Sequence, residues 1–410
     1  MKVNVQALGT FNRLAHEGAE HAADSLAQLS AVSPTVEATS INLVGQEDIG
    51  DEFPDERYIG VQIDFDGGLA GRTVLVMDEP CVRQLLESLP ITGDADTLEE
   101  DPITEVGNII LGGFLDGWAD YLDAAIELST PTYLEGKGSD VLPSDTPTWS
   151  EHEQVFAFAS QLETGNEAVS AFIYMFPELW SFERLVETQL QADDLPIPFE
   201  RLTVFNRMTK HGARKASEHM TDMSGIETAV EISQLTFTPI EHAPSQISDD
   251  RYIGVVFELT GQPSGFVVIL FDKQSAYNLA SALVPFEEEE FGRIHESAIQ
   301  EVGNIMTSGF IDGWANVLET TIDMSPPQFV DDMGRAILDP IATRLGQTQD
   351  FAFLIDSTID TVDHEVSCEI FALPNEHELT EALNEISMEP DDVPDIDSPF
   401  PGMEASYEDL

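Results

Sequence analysis

The sequence predicts an α+β protein built from two copies of one unit, each a mostly antiparallel sheet with long helices packed on one face. Three observations predict it. The chain repeats itself at a nearly constant offset. Each repeat runs helix, strands, helix, strands instead of alternating strand and helix regularly. The run from Tyr58 to Asp66 alternates polar and apolar residues, as a sheet with one covered face requires.

The repeat is exact at several points. Phe11, Asn12 and Arg13 recur as Phe205, Asn206 and Arg207, 194 residues on; Arg57 to Val61 recurs as Arg251 to Val255 at the same offset. Glu105 to Ile109 recurs as Glu301 to Ile305, and Asp116 to Ala119 as Asp312 to Ala315, both at 196. A constant offset with one small indel is a tandem duplication. The expected boundaries are 1–192 for the first unit and 196–387 for the second, with a linker around Asp193 to Pro198. The Pro-, Asp- and Glu-rich stretch 388–410 reads as a disordered acidic tail.

The elements follow the same order in both halves. A helix opens each, over Leu8–Leu29 and Phe199–Met223. Three strands follow, over Val36–Leu43, Tyr58–Asp66 and Arg72–Met77 in the first half. In the second they cover Glu227–Phe237, Tyr252–Leu259 and Phe266–Phe271. Short helices come next at Pro80–Leu89 and Ser275–Leu283, then long ones over Glu99–Ile126 and Glu289–Ile322. Strands at Gln154–Leu162, Ala168–Phe176, Phe351–Ile359 and His364–Leu373 complete the sheets, and a short helix ends each half.

The formal net charge is −60, spread over the whole chain, with 17 Lys and Arg against 77 Asp and Glu. Such self-repulsion strains a folded state in dilute salt. In ~1 M salt the Debye length is roughly 3 Å and the repulsion is screened, so the composition points to a halophile with a salt-rich cytoplasm. The charge argues against nucleic acid and anionic membranes as partners. Cys81 and Cys368 are the two cysteines, far apart, with neither metal-ligand nor disulfide spacing. No basic-then-apolar leader opens the chain, and no apolar run approaches the ~20 residues of a membrane span. The expectation is a soluble, cytoplasmic protein.

The long helices carry the chemistry. Gly107, Gly113 and Gly117 interrupt the first, and Gly303, Gly309 and Gly313 its counterpart. Each costs roughly 1 kcal/mol against Ala, which implies a close approach by another helix or by a partner. Near the helix start, Glu105 and Asn108 stand three apart on one face, with Asp101 four residues before them. Glu301, Asn304 and Ser297 repeat the spacing. After a further gap of twenty-two residues each Asn is followed by a proline, Pro131 or Pro327. A lone Glu-x2-Asn is an ordinary polar helix turn that the dipole favours. The full string, Asp/Ser-x3-Glu-x2-Asn-x22-Pro, occurs twice in one context.

That string resembles the signature of the CheC/CheX/FliY phosphatases, and the likeness covers the chain to about residue 387 as two CheC-like units. The resemblance implies a chemotaxis enzyme that hydrolyses the phospho-aspartate of the response regulator CheY. It implies Asn108 and Asn304 as residues that orient the attacking water and Glu105 and Glu301 as partners of the receiver lysine. Asp101, Ser297, Pro131 and Pro327 match the supporting positions. No cofactor of its own is implied; Mg²⁺ belongs to the CheY substrate. The receptor deamidase CheD is a second partner known for the family, and a non-catalytic adaptor binding CheY or CheD is the alternative reading. CheC proteins carry another motif copy on the first helix, but Arg13 and His16 stand there in the first half, Arg207 and Lys210 in the second. Two active surfaces are therefore expected, not four. Arg207, Lys210 and Arg214 share one helical face: either they pair with the chain's own acids, or they form a docking patch for an acidic partner. No metal site, P-loop or dinucleotide fingerprint is present in the sequence.

Overall fold

In this computed structural model the described residues are 1–29, 34–45, 48–50, 53, 56–88, 100–143, 154–164, 170–189, 196–284, 291–361 and 366–386. The expected acidic tail, and residues 193–195 of the expected linker, lie outside them. The chain forms two compact units, Met1–Pro196 with Thr236–Gln246, and Ile197–Leu235 with Ile247–Leu410. The boundary thus falls at 196/197, and one short segment of the second repeat belongs to the first unit.

The first unit runs β1 (Lys2–Val3), α1 (Val5–Leu29), β2 (Pro34–Gly45), β3 (Arg57–Gly67), β4 (Gly71–Asp78), α2 (Glu79–Ser88), α3 (Glu100–Leu122), β5 (Ile126–Leu128), β6 (Thr132–Lys137), β7 (Gln154–Thr164), β8 (Ser170–Pro177) and α4 (Leu179–Gln189). Its sheet has the order β2-β7-β8-β4-β3, with β5 and β6 both on the far side of β3. The strand pairs are antiparallel.

Side-chain alternation sends Ile59, Val61, Ile63, Leu75, Phe156, Phe158 and Ile173 to the helix face, all buried. There α1 offers Leu8, Phe11, Leu14, Ala15 and Ala22 at helical spacing, and α3 offers Ile110, Phe114 and Trp118. Phe11 stacks on Trp118 at 6.4 Å, and Phe182 of α4 closes over Phe11, Phe156 and Phe158. The opposite face is covered as well. Val74, Val76, Val155, Tyr174 and Phe176 pack under Ile49, Phe53, Val141 and Leu142, which come from connecting segments.

The second unit repeats this plan: β9 (Ile197–Pro198), α5 (Phe199–Ser224), β10 (Thr228–Pro239), β11 (Arg251–Gly261), β12 (Gly265–Asp272), α6 (Lys273–Leu283), α7 (Arg293–Val317), β13 (Ile322–Met324), β14 (Gln328–Met333), α8 (Gly334–Leu345), β15 (Phe351–Thr361), β16 (Ser367–Pro374) and α9 (Glu376–Glu385). The order is β11-β12-β16-β15-β10, with β13 and β14 outside β11. Asp272 caps α6, accepting from the N–H groups of Gln274 and Ser275 at 2.7 and 2.9 Å. The fold class is the expected one, α+β with antiparallel sheets and paired long helices.

Two differences from the sequence expectation share one cause. The long helices stop at Leu122 and Val317, short of the expected Ile126 and Ile322. Asp123 (φ 46°) and Glu319 (φ 49°) turn left-handed and reverse the chain into β5 and β13. The edge strands β6 and β14, and the helix α8, were not anticipated either.

Candidate functional site

Each candidate site is a helix face beside a strand turn. Glu100 and Asp101 occupy the first turn of α3, where acidic side chains suit the helix dipole. Val106 and Gly107 point into the core while Glu105 is exposed and Asn108 half-buried. The glycine is dictated by packing. A Cβ on Gly107 would lie 2.5 Å from Val61 Cβ, and one on Gly303 would lie 2.2 Å from Val255 Cγ2. Each Asn therefore follows the residue at which its helix touches the sheet most closely. On α7, Glu301 is exposed and Asn304 half-buried, as in the first copy.

The remaining helix glycines serve the helix pairs. A Cβ on Gly117 would meet Gly18 Cα at 2.9 Å, and one on Gly18 would meet the Phe114 carbonyl at 2.9 Å. In the second unit Gly212 lies against Phe310 and Gly313, and Gly309 against His219. Higher residues of α5 face lower residues of α7, so the two helices run antiparallel. Of the two readings of these glycines, close approach by a neighbouring helix or strand accounts for all six.

The motif prolines stand where their edge strands begin: Pro131 directly precedes β6 and Pro327 directly precedes β14. Two serines fix these turns and were not singled out from the sequence. Ser129 N–H donates to the Asp64 carbonyl at 2.8 Å while its Oγ accepts from Asp64 N–H at 3.0 Å. Ser325 repeats both bonds with Glu258, at 2.9 and 3.0 Å. The signal was present: serine recurs two residues before each proline at the 196 offset. Ion pairs at matching positions then hold the edge strands, Arg57 to Glu135 at 2.8 Å and Arg251 to Asp331 at 2.7 Å.

The supporting positions differ between the copies. Asp101 is exposed in the first turn of α3. Ser297 lies a turn inside α7, which starts after Gly292, and donates to the Arg293 carbonyl at 3.0 Å. It does not cap the helix. Gln300 Nε2 donates to the Pro327 carbonyl at 3.3 Å, tying helix to turn. The matching Thr104 donates within its own helix, to the Glu100 carbonyl at 2.8 Å.

The degenerate motif positions on the opening helices lie elsewhere. His16 is 3.8 Å from Glu20 and 3.4 Å from Thr39 Oγ1, and its ring stands 6.1 Å from that of His242. Arg207, Lys210 and Arg214 are partly buried on α5, and none of them is without a partner. Given the contact of Gly212 with Gly313, Lys210 lies level with the far end of α7, on the order of 15 Å along the axis from Asn304 at a 1.5 Å rise per residue. Lys210 is thus remote from the Glu301/Asn304 face, whereas Arg214, next to Lys215 whose backbone faces Gly309, lies only about 8 Å along the axis from Asn304. Among the described residues no cluster of His, Cys, Asp and Glu could hold a metal ion, and no helix is long and apolar enough to cross a membrane.

The comparisons with known proteins fall on these same regions. The profile of the CheC-like family matches residues 294–330, which hold Glu301, Asn304 and Pro327. That of the chemotaxis phosphatase CheX matches residues 59–150, which hold Glu105, Asn108 and Pro131. The chain is 34% identical over 197 residues to CheC1 of Halobacterium salinarum, provisionally named a CheY-P phosphatase; the match covers 46% of this chain and 98% of that protein. That relative is therefore about one repeat long. Among solved structures, FliY of Thermotoga maritima matches at 16% identity and a TM-score of 0.38, over 46% of this chain and 96% of its own. The CheX-CheY-BeF3-Mg complex of Borrelia burgdorferi matches at 18% identity and a TM-score of 0.30, over 40% and 96%.

Proposed function

Because this chain belongs to the CheC-like family, we propose that it is a cytoplasmic chemotaxis phosphatase that hydrolyses the aspartyl phosphate of CheY at two sites, Glu105/Asn108 and Glu301/Asn304. The observation that carries the reading is the twofold presentation of one geometry. In each unit an exposed Glu and a half-buried Asn share a helix face whose intervening glycine is seated on the sheet.

Hydrolysis of an acyl phosphate needs an in-line water and stabilised charge, with little covalent help from the protein. A neutral carboxamide cannot take a proton near pH 7, but it both donates and accepts hydrogen bonds. Asn108 or Asn304 holds a water opposite the aspartyl oxygen. The water oxygen bonds to phosphorus, the bond from phosphorus to the aspartate oxygen breaks, and the aspartate leaves as carboxylate. The water proton ends on inorganic phosphate. Glu105 or Glu301 pairs with the receiver lysine and sets the register of docking. Mg²⁺, carried by CheY, neutralises charge on the phosphoryl oxygens. Asp101, Ser297, Pro131 and Pro327 support the helix face and the turn beside it. CheD is a further partner proposed on family grounds, with the basic trio on α5 as a candidate contact.

The test is the decay of phosphorylated CheY in molar KCl with Mg²⁺, with the wild type, Asn108→Ala, Asn304→Ala and the double variant. Water positioning of this kind is worth on the order of 10²-fold in rate. The wild type accelerates decay, each single variant loses part of the effect, and the double variant loses it all. Unchanged decay in all four would leave an adaptor that binds CheY without hydrolysing it.

A further inference from the structure

We infer that the two sites are unequal, and that the α7 site is the principal one for docking and hydrolysing the phosphorylated receiver. This rests on the phosphatase reading above, and two differences carry it. The first is charge. Over the aligned stretches described in both copies, residues 100–108 hold Glu100, Asp101 and Glu105, a sum of −3, and residues 296–304 hold Glu296 and Glu301, a sum of −2. An acyl phosphate is an anion, so the first face meets it against one more negative charge. Asp101 is itself exposed, where the second face presents the hydroxyl of Ser297.

The α7 face also carries an apolar element. Ile294 is 46% exposed. It stands seven residues before Glu301, so Ile294, Ser297, Glu301 and Asn304, at steps of three, four and three, form one stripe along α7. The stripe places a large aliphatic side chain two turns, about 10 Å, before the docking glutamate. Burying it against the receiver adds a contact that salt does not screen. The aligned residue of the first copy, Leu98, is aliphatic too and lies outside the described residues, so this contact belongs to docking and does not separate the two sites.

The second difference is anchoring. Gln300 binds the Pro327 carbonyl, so helix and turn move as one piece in the second copy. Thr104, in the first copy, bonds back into α3. A face that must hold a water in place benefits from fewer loose joints.

The experiment isolates each site. Asn304→Ala leaves only the first asparagine and Asn108→Ala only the second. CheY decay is followed for both, and the affinity for beryllofluoride-activated CheY is measured in Glu301→Ala and Glu105→Ala backgrounds, each of which keeps a single docking glutamate. Asn108→Ala keeps most of the wild-type kcat/KM, and Asn304→Ala keeps the smaller part. At the lowest KCl at which the chain stays folded, Asp101→Ser tightens the first site and Ser297→Asp loosens the second, each about 2- to 5-fold, with both effects shrinking in molar KCl. Ile294→Ser loosens the second site about 5-fold at either salt, from the apolar area it withdraws. Equal kcat/KM in the two single-site proteins, or affinities indifferent to these substitutions, would overturn the inequality while leaving the phosphatase reading intact. Conversely, if no protein accelerates decay but the affinities shift as stated, the phosphatase reading falls and the unequal docking faces stand.

Discussion

Gly107→Ala tests whether the site depends on the seating of its helix. In an exposed helix this change stabilises by about 1 kcal/mol. Here the new methyl would lie 2.5 Å from Val61 Cβ and 2.6 Å from both γ-carbons. Carbon atoms pack at about 3.5–4.0 Å, so α3 or β3 must yield by about 1 Å, and no rotation of Val61 removes all three contacts. Overpacking costs about 1–3 kcal/mol, which leaves a net loss of about 1–2 kcal/mol after the propensity gain. The next residue is Asn108, and a 1 Å displacement of a positioning group costs on the order of 10²-fold in rate. The assay is urea unfolding in molar KCl, with CheY-phosphate decay followed in an Asn304→Ala background so that only the first site is read. Gly303→Ala is the internal control. Its methyl meets Val255 Cγ2 at 2.2 Å but Val255 Cβ at 3.4 Å, so a rotamer change relieves much of the clash and the effect is smaller. Adding Val61→Ala to Gly107→Ala removes both γ-carbon contacts but leaves the 2.5 Å contact with Cβ, so it restores rate only in part. A Gly107→Ala protein that is more stable than wild type, with unchanged decay, would refute the claim that this glycine seats the site.

Three other outcomes are expected. The melting temperature rises steeply from low to molar KCl, because a net charge of −60 is screened within roughly 3 Å at 1 M; a flat curve would remove the halophilic reading. Burial pushes the Glu369 carboxyl above the usual carboxylate range, assisted by Asp250 and Asp272 and opposed by the hydrogen bond from Tyr252 at 3.0 Å. A raised folded pKa means stability fully present below about 4.5 and lost as pH climbs through the folded value, so the stability of Glu369→Gln relative to wild type increases with pH above that point; parallel melting curves would contradict this. Ser129→Ala and Ser325→Ala each free a strand turn beside the motif proline, costing about 1 kcal/mol for the lost bonds, and lower kcat at the adjoining site only, as read in the single-asparagine backgrounds.

Much of this molecule was readable beforehand, and the gaps have physical causes. The constant offset exposed the duplication, and the opening helix over Phe199–Met223 matches α5 to within a residue, because strong apolar periodicity survives any tertiary context. Helix ends were misjudged because Asp123 and Glu319 adopt left-handed geometry without a glycine to announce it. The edge strands escaped notice because Thr132–Lys137 and Gln328–Met333 are largely exposed and carry no clean alternation of apolar residues. Their pairing to β3 and β11 is instead held by Arg57, Arg251 and the two serines, contacts between residues about 65 to 80 positions apart. At the site, the Glu/Asn face could be placed from spacing alone. The bond from Gln300 to Pro327 could not, since Thr104 occupies the matching position and breaks the repeat there.

The interleaving of inward glycines with outward polar residues bears on how such chains diverge. On α1, Arg13 and His16 stand outward while Gly18 packs inward against the Phe114 carbonyl. On α3, Glu105 and Asn108 stand outward while Gly107 and Gly117 pack inward. Selection on architecture and selection on chemistry thus act on separate columns of the same helix, and either column can drift while the other is held. A duplicated chain of this kind can retire one reactive face, or retune it for a new receiver, without passing through an unfolded ancestor. In sorting related chains, the glycine register reports the architecture, and the Glu/Asn register reports the proposed chemistry.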